Sequence, residues 1–150
     1  MLGKNILDNI LKYGDWGLFI VSFLAATVLP FSSEPILMTM LIASEKPWFY
    51  LVIIATTGNW FGGITNYLIG RAWKKDWIKR YLHVDYNKIQ KYKSQLKRYG
   101  FLSALLCWVP FIGDPIAIAL GWFRAPWLGV ILFMLIGKIS RYLIISIPFI

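Results

Sequence analysis

Long apolar stretches surround one basic stretch in this chain, and the way the apolar stretches are interrupted predicts its layout. Pro47 to Gly70 holds twenty-four residues without a formal charge. At 1.5 Å per residue, a helix over that run is about 36 Å long, enough to cross a hydrocarbon layer about 30 Å thick. Trp48, Phe49 and Tyr50 place an aromatic belt at one end, and Arg71, Lys74 and Lys75 close the other. A second long run, Ala125 to Ile150, starts beside Trp127 and carries Lys138 and Arg141 well inside it.

Two further apolar runs are broken. Trp16 to Ser44 is too long for one straight crossing and contains Pro30 and Pro35, whereas Phe101 to Phe123 contains Pro110, Gly113 and Pro115. Proline removes a backbone donor and clashes with the preceding turn, so both runs are expected to kink or fold back. Lipid does not tolerate the backbone groups so freed, and each break must be covered by protein or face a wet cavity. The breaks are near copies: Leu29 to Pro35 reads LPFSSEP, and Val109 to Pro115, eighty positions on, reads VPFIGDP.

Composition turns this pattern into a class. The 150 residues are 58% hydrophobic and 15% charged, against roughly 25% charged in an average soluble domain. A soluble core of this size has no room for that much apolar surface, so the expectation is an all-α integral membrane protein of one domain. The single cysteine, Cys107, excludes an internal disulfide, and no metal-ligand spacing, catalytic triad or phosphate loop is present. Neither an enzyme, a metal site nor a cofactor is expected. The first apolar run lacks a small-residue cleavage site, so a removable signal peptide is not expected either.

The net charge of +9 is concentrated between Arg71 and Gly100, which hold ten of the sixteen Lys and Arg residues and two acids. Such a bias places this segment in the cytoplasm. Ile89, Tyr92, Leu96 and Tyr99 recur at spacings of three and four, marking an amphipathic helix on the membrane surface. Beside so many membrane segments, contact with anionic headgroups explains the basic residues better than nucleic-acid binding.

The predicted layout is an interfacial helix over 1–15, a re-entrant hairpin over 16–45 and a transmembrane helix over 47–71. A basic cytoplasmic segment over 72–99 follows, then a second re-entrant hairpin over 100–123 and a transmembrane helix over 125–150. These are two hairpin-plus-span units of opposite orientation, an inverted repeat of the kind many secondary transporters use. Charge counts alone also permit four plain crossings.

Glu34 and Asp114 precede Pro35 and Pro115, an arrangement that suits helix N-caps with proline at the first helical position. In a bilayer an ionisable group at the centre costs at least ~2.5–3.5 kcal/mol, and serine or asparagine would cap as well. Two acids at matched breaks therefore point to function, with proton exchange as the expected role. Lys138 and Arg141, three apart, share one helix face, and Lys138 lies about 18 Å from Pro126, near the midplane. Both are candidates to hold a lipid phosphate; a purely structural Asp114–Arg141 pair is the alternative. Gly58 and Gly62, with Gly63 beside them, permit close helix packing. Asn59 and Asn66, two turns apart, either join helices or line a path, and Ser32 and Ser33 in the first break are further lining candidates.

These residues resemble the DedA superfamily, also called SNARE-associated or VTT-domain proteins, and within it the short YqaA-like branch. The resemblance rests on an ordered set spanning nearly the whole chain. It comprises Leu29, Pro30, Ser33 and Glu34; then Gly58, Asn59, Gly62, Gly63, Thr65, Asn66, Gly70 and Arg71. Trp108, Pro110, Gly113, Asp114, Gly121 and Trp122 follow, and Gly137, Lys138, Arg141 and Tyr142 complete it. It implies two opposed re-entrant hairpins and movement of lipids across bilayers: undecaprenyl phosphate recycling in bacteria, phospholipid scrambling in eukaryotes, and dependence on the proton motive force. The larger DedA branch flanks the second-hairpin proline with arginines, where this chain has Cys107 and Gly113. The phosphate-binding cations are therefore expected from Lys138, Arg141 and Arg71. The residues alone reach a transporter-like protein, and the resemblance supplies a phosphate-bearing lipid as cargo and a bacterial plasma membrane as location. A non-transporting membrane organiser and an ion channel are the rivals. One copy of 150 residues is small for enclosing a path, which leaves room for a homo-oligomer.

Overall fold

A computed structural model of the chain describes residues 2–27, 33–73, 94, 98–100, 102–109 and 112–150, with side chains from residue 12 onward. Pro30, Ser32, Pro110 and most of the basic 72–99 segment lie outside the described residues. All secondary structure among the described residues is helical. In order come α1 (Leu2–Thr27), α2 (Glu34–Ala43), α3 (Trp48–Ala72), a 3-10 helix (Ala104–Trp108), α4 (Gly113–Trp122), α5 (Trp127–Ser146) and a 3-10 turn (Ile147–Phe149).

Helix α1 is two pieces joined at Gly14, whose φ of 56° and ψ of −125° leave the helical region. Only a residue without Cβ takes that conformation readily. Downstream of the break, α1 runs alongside α3 in the same direction. Gly58 packs on Phe19 and Ser22, Gly62 on Phe23 and Ala26. Asn59 donates to the Ser22 carbonyl at 3.3 Å and Asn66 to the Ala26 carbonyl at 2.5 Å. Helix α2 follows, and Lys46 beyond it returns to Asp15 near the start of α1's second piece, at 2.5 Å. The Asp15 carboxylate also accepts from Tyr50 at 2.9 Å.

On the opposite end of α3 the pattern repeats with α4. Gly70 lies against the backbone of Ile118 and Gly121 against the Tyr67 carbonyl, so a Cβ at either would collide with main chain. Helix α5 then runs antiparallel to α3. Tyr67 donates to the Ala125 carbonyl at 2.7 Å, Trp60 to Ile131 at 3.0 Å, and Lys138 reaches Asn59 further along. Small residues at these crossings let backbones approach, which is how helices associate where lipid removes the hydrophobic drive.

The charge-free run is helical over nearly its full predicted length, and its two faces differ. Inward lie Thr56, Gly58, Asn59, Gly62, Gly63 and Asn66, while Ile53, Phe61 and Leu68 face out. That polar inner face dilutes its apolar character. Among the described residues, the stretch Trp127–Phe149 is the one long and apolar enough to cross a membrane by length and composition. Leu128, Leu132, Ile136 and Leu143 are among its exposed positions.

Candidate functional site

The two acidic breaks meet the two cations of α5 halfway along α3. Glu34, the first residue of α2, receives both Nε and Nη2 of Arg141 on one carboxylate oxygen, the Nε contact at 2.7 Å. Asp114, in the first turn of α4, lies 3.9 Å from Lys138. Lys138 spends its shorter bonds on Asn59, donating to its carbonyl oxygen at 2.8 Å and to its side-chain oxygen. Gly63 leaves the space that the Lys138 ammonium and Met134 occupy. Arg141 therefore joins Glu34, not Asp114 as the structural alternative supposed, and the second pair is Lys138 with Asp114.

The acids are not N-caps. Ser33 and Ile112 hold the cap positions, neither makes a side-chain hydrogen bond to the N–H groups of its own helix, and the carboxylates sit one or two residues inside the helices. They complement the helix dipole from the first turn, while their oxygens are turned to α5 and not back to the free N–H groups.

Burial is uneven across the four groups. The side chains of Lys138 and Arg141 are 3% and 13% exposed, those of Asp114 and Glu34 34% and 30%. The carboxylates are the more accessible members of the set and the cations the more covered. Formal charges cancel within the set, as burial in a low-dielectric site requires.

Around these pairs the sequence candidates divide. Ser33 is buried and shares a 2.5 Å hydrogen bond with the Tyr142 hydroxyl, fixing the start of α2 against α5. Asn59 and Asn66 are buried with their amides on α1 carbonyls, which makes them joints between α1 and α3, although Asn59 also holds Lys138 and Asn66 reaches Asp114. Gly58 and Gly62 serve α1, and Gly63 serves α5. Arg71 stands apart at the end of α3, donating to the Tyr67 hydroxyl at 2.8 Å. Pro35 and Pro115 lie exposed in the first turns of α2 and α4.

Sequence reasoning did not assign Tyr142, Ser22 or Thr56 a role. The hydroxyls of Ser22 and Thr56 are buried without a hydrogen-bond partner. An unmet buried group costs about 1–3 kcal/mol, so these are the atoms a penetrating water would satisfy. A serine or threonine on an apolar helix is the weak signal that marks them. At the positions where the larger branch carries arginine, Cys107 is buried and Gly113 packs on the Cys107 backbone. A side chain at 113 would collide there, and the cations of this site come from α5.

The VTT domain family matches residues 29–149 of the chain. "Inner membrane protein YqaA" of Escherichia coli (strain K12) is 39% identical over 132 residues, covering 87% of each chain. An uncharacterized protein of Haemophilus influenzae is 35% identical over 142 residues, 88% of this chain and 87% of its own. One from Methanocaldococcus jannaschii is 24% identical over 151 residues, 99% and 92% of the two chains. No solved structure matches. The paired breaks, the small-residue face of α3 and this match over most of the length agree, and the chain belongs to the VTT-domain, or DedA, family of membrane proteins, alongside YqaA.

Proposed function

We propose that this protein moves a phosphate-bearing lipid across a bacterial inner membrane, with proton exchange at Glu34 and Asp114 coupled to headgroup binding by Lys138 and Arg141. The reading rests on one observation: each acidic break ends against a largely covered cation of α5, well inside the stretch long and apolar enough to cross a membrane. Ion pairs at that depth are expensive and mark pathways.

The layout behind it is an inverted pair of re-entrant hairpins. Support comes from the Asp15–Lys46 contact, which brings both ends of the first broken run to the start of α3, and from the Tyr67–Ala125 contact, which brings the end of the second to the far end of α3. We orient the basic 72–99 segment toward the cytoplasm by its charge, and the naming of the Escherichia coli relative supports the inner membrane.

Chemically, each cation faces a carboxylate that is more exposed than itself. Protonating the carboxylate removes its claim on the cation, which then has donors for a phosphate; binding phosphate in turn favours the protonated acid. The linkage is reciprocal, so a pH gradient and a lipid gradient drive one another. No catalytic group or cofactor takes part.

The test is reconstitution in liposomes with fluorescent lipids of several headgroups, including undecaprenyl phosphate, with and without a pH gradient. The wild type is expected to flip a phosphate-bearing lipid faster with the gradient, and Asp114→Asn to abolish flipping while remaining folded. Full activity in that variant removes the proton role. Loss of cellular function on neutralising Lys91, Lys93 and Lys97, with flipping intact, favours a membrane organiser instead.

A further inference from the structure

The turn between α4 and α5 contains a residue that local folding does not ask for. Arg124 has φ of 55°, the one positive value at a non-glycine position among the described residues. Its N–H bonds the Gly121 carbonyl at 2.9 Å, and the Ala125 N–H bonds the Leu120 carbonyl at 3.0 Å. This is the Schellman ending of a helix, and Arg124 occupies the left-handed position where glycine is the usual residue. An arginine held there against its backbone preference implies that its side chain has a use.

A second arginine is tied to the same turn through a tyrosine. Tyr67 donates to the carbonyl of Ala125, the next residue in the turn, and Arg71 donates to the Tyr67 hydroxyl. Both arginines are exposed, and among the described residues no carboxylate pairs with either. Arg71 directly follows the charge-free run, the level at which a helix leaves the hydrocarbon and meets headgroup phosphates. Twelve residues separate it from Asn59, so the pair lies about 18 Å along α3 from the Lys138 site. Snorkelling alone explains a lysine as well as an arginine; it explains neither the tyrosine-braced guanidinium nor the strained backbone.

We propose that Arg71 and Arg124 form a clamp for the phosphate of an anionic membrane lipid, at the point where α3 ends and α4 turns into α5, with Tyr67 as its positioning residue. Two guanidinium forks on one phosphate suit the geometry such groups prefer. The clamp requires only that α3 end at the bilayer surface, and it stands or falls separately from lipid flipping.

The experiment measures binding of phosphatidic acid to the full-length protein in phosphatidylcholine nanodiscs, by titration and native mass spectrometry, together with thermal unfolding. Arg124→Gly is expected to keep or raise the unfolding temperature while weakening phosphatidic acid binding about tenfold, the loss of one charge-assisted contact. Arg124→Lys should fall between, and Tyr67→Phe should weaken binding while both arginines remain. Unchanged binding in Arg124→Gly and Tyr67→Phe overturns the clamp. Displacement of the lipid by millimolar inorganic phosphate overturns its assignment to a lipid headgroup, and failure of phosphate to compete supports it.

Discussion

The two acidic breaks are near copies in sequence and unequal in structure. Glu34 is gripped by two donors of Arg141, one at 2.7 Å, whereas Asp114 stands 3.9 Å from a lysine that bonds Asn59 more closely. A planar guanidinium can fix a carboxylate in one orientation; an ammonium is a point charge free to choose among acceptors. The first break is therefore braced to α5, with Ser33 and Tyr142 adding a second tie. The second is held loosely, so Asp114 is the acid with more freedom to change protonation or partner. Two similar motifs thus hold a strut at one break and a looser contact at the other.

The largest effect that tests this contrast is on stability. Arg141→Met removes the strut from Glu34, which sits in a mostly covered place. Breaking a buried pair costs about 3–5 kcal/mol, and the partial exposure of Glu34 places the expectation near the lower end. Asp114→Asn should cost less, because Lys138 loses a counter-charge at 3.9 Å but keeps both bonds to Asn59. Thermal or denaturant unfolding in one detergent compares the two directly. Equal losses would mean that the two breaks are energetically alike, whatever their geometry.

A smaller effect separates the helices that carry the breaks. Gly121 lies on the Tyr67 carbonyl, so Gly121→Ala forces α4 away from α3. Overpacking of this kind costs about 1–3 kcal/mol. Because α4 carries Asp114 but not Glu34, the displacement should lengthen the Asp114–Lys138 contact and leave the Arg141 pair in place. Cysteine cross-linking between α4 and α5 should weaken in this variant, while cross-linking between α2 and α5 persists. Loss of both sets of cross-links would show the two breaks to be one mechanical unit.

Much of this site is legible in the order of its residues. Charge-free length marks the extent of α3, proline marks where the apolar runs break, and a spacing of three puts Lys138 and Arg141 on one face. The pairing is not legible. Both acids and both cations fit the same pocket by depth alone, and which cation takes which acid depends on Asn59, whose oxygens hold Lys138 in place. The asparagines themselves are ambiguous because an amide joins helices or lines a path equally well in sequence; in the structure both amides bond α1 carbonyls. The kink at Gly14 is legible only as a boundary between an interfacial and an apolar stretch, since a glycine in a helix gives no sign of its φ.

A third ion pair gives the scale against which the other two are measured. Asp15 and Lys46 meet at 2.5 Å at the mouth of the first broken run, with side chains 29% and 45% exposed, and Tyr50 donates to the same carboxylate. The hydrogen bond from Lys46 outweighs slight burial and holds the Asp15 carboxyl below its ordinary value. A carboxyl depressed in the folded state contributes stability that is complete above its unfolded pKa of about 3.9 and fades as pH falls through the lower folded value. Exposure and salt screening limit that contribution to about 1 kcal/mol or less. Asp15→Asn should therefore unfold slightly more easily than wild type at pH 6, and the gap should narrow as pH falls below about 3.9 and shrink in high salt. Arg141→Met should keep most of its deficit in salt, because its pair is screened by protein and not by water. If salt erases both deficits alike, the Glu34–Arg141 pair is as wet as the surface clasp, and the strut has no more claim to the membrane interior than Asp15 does.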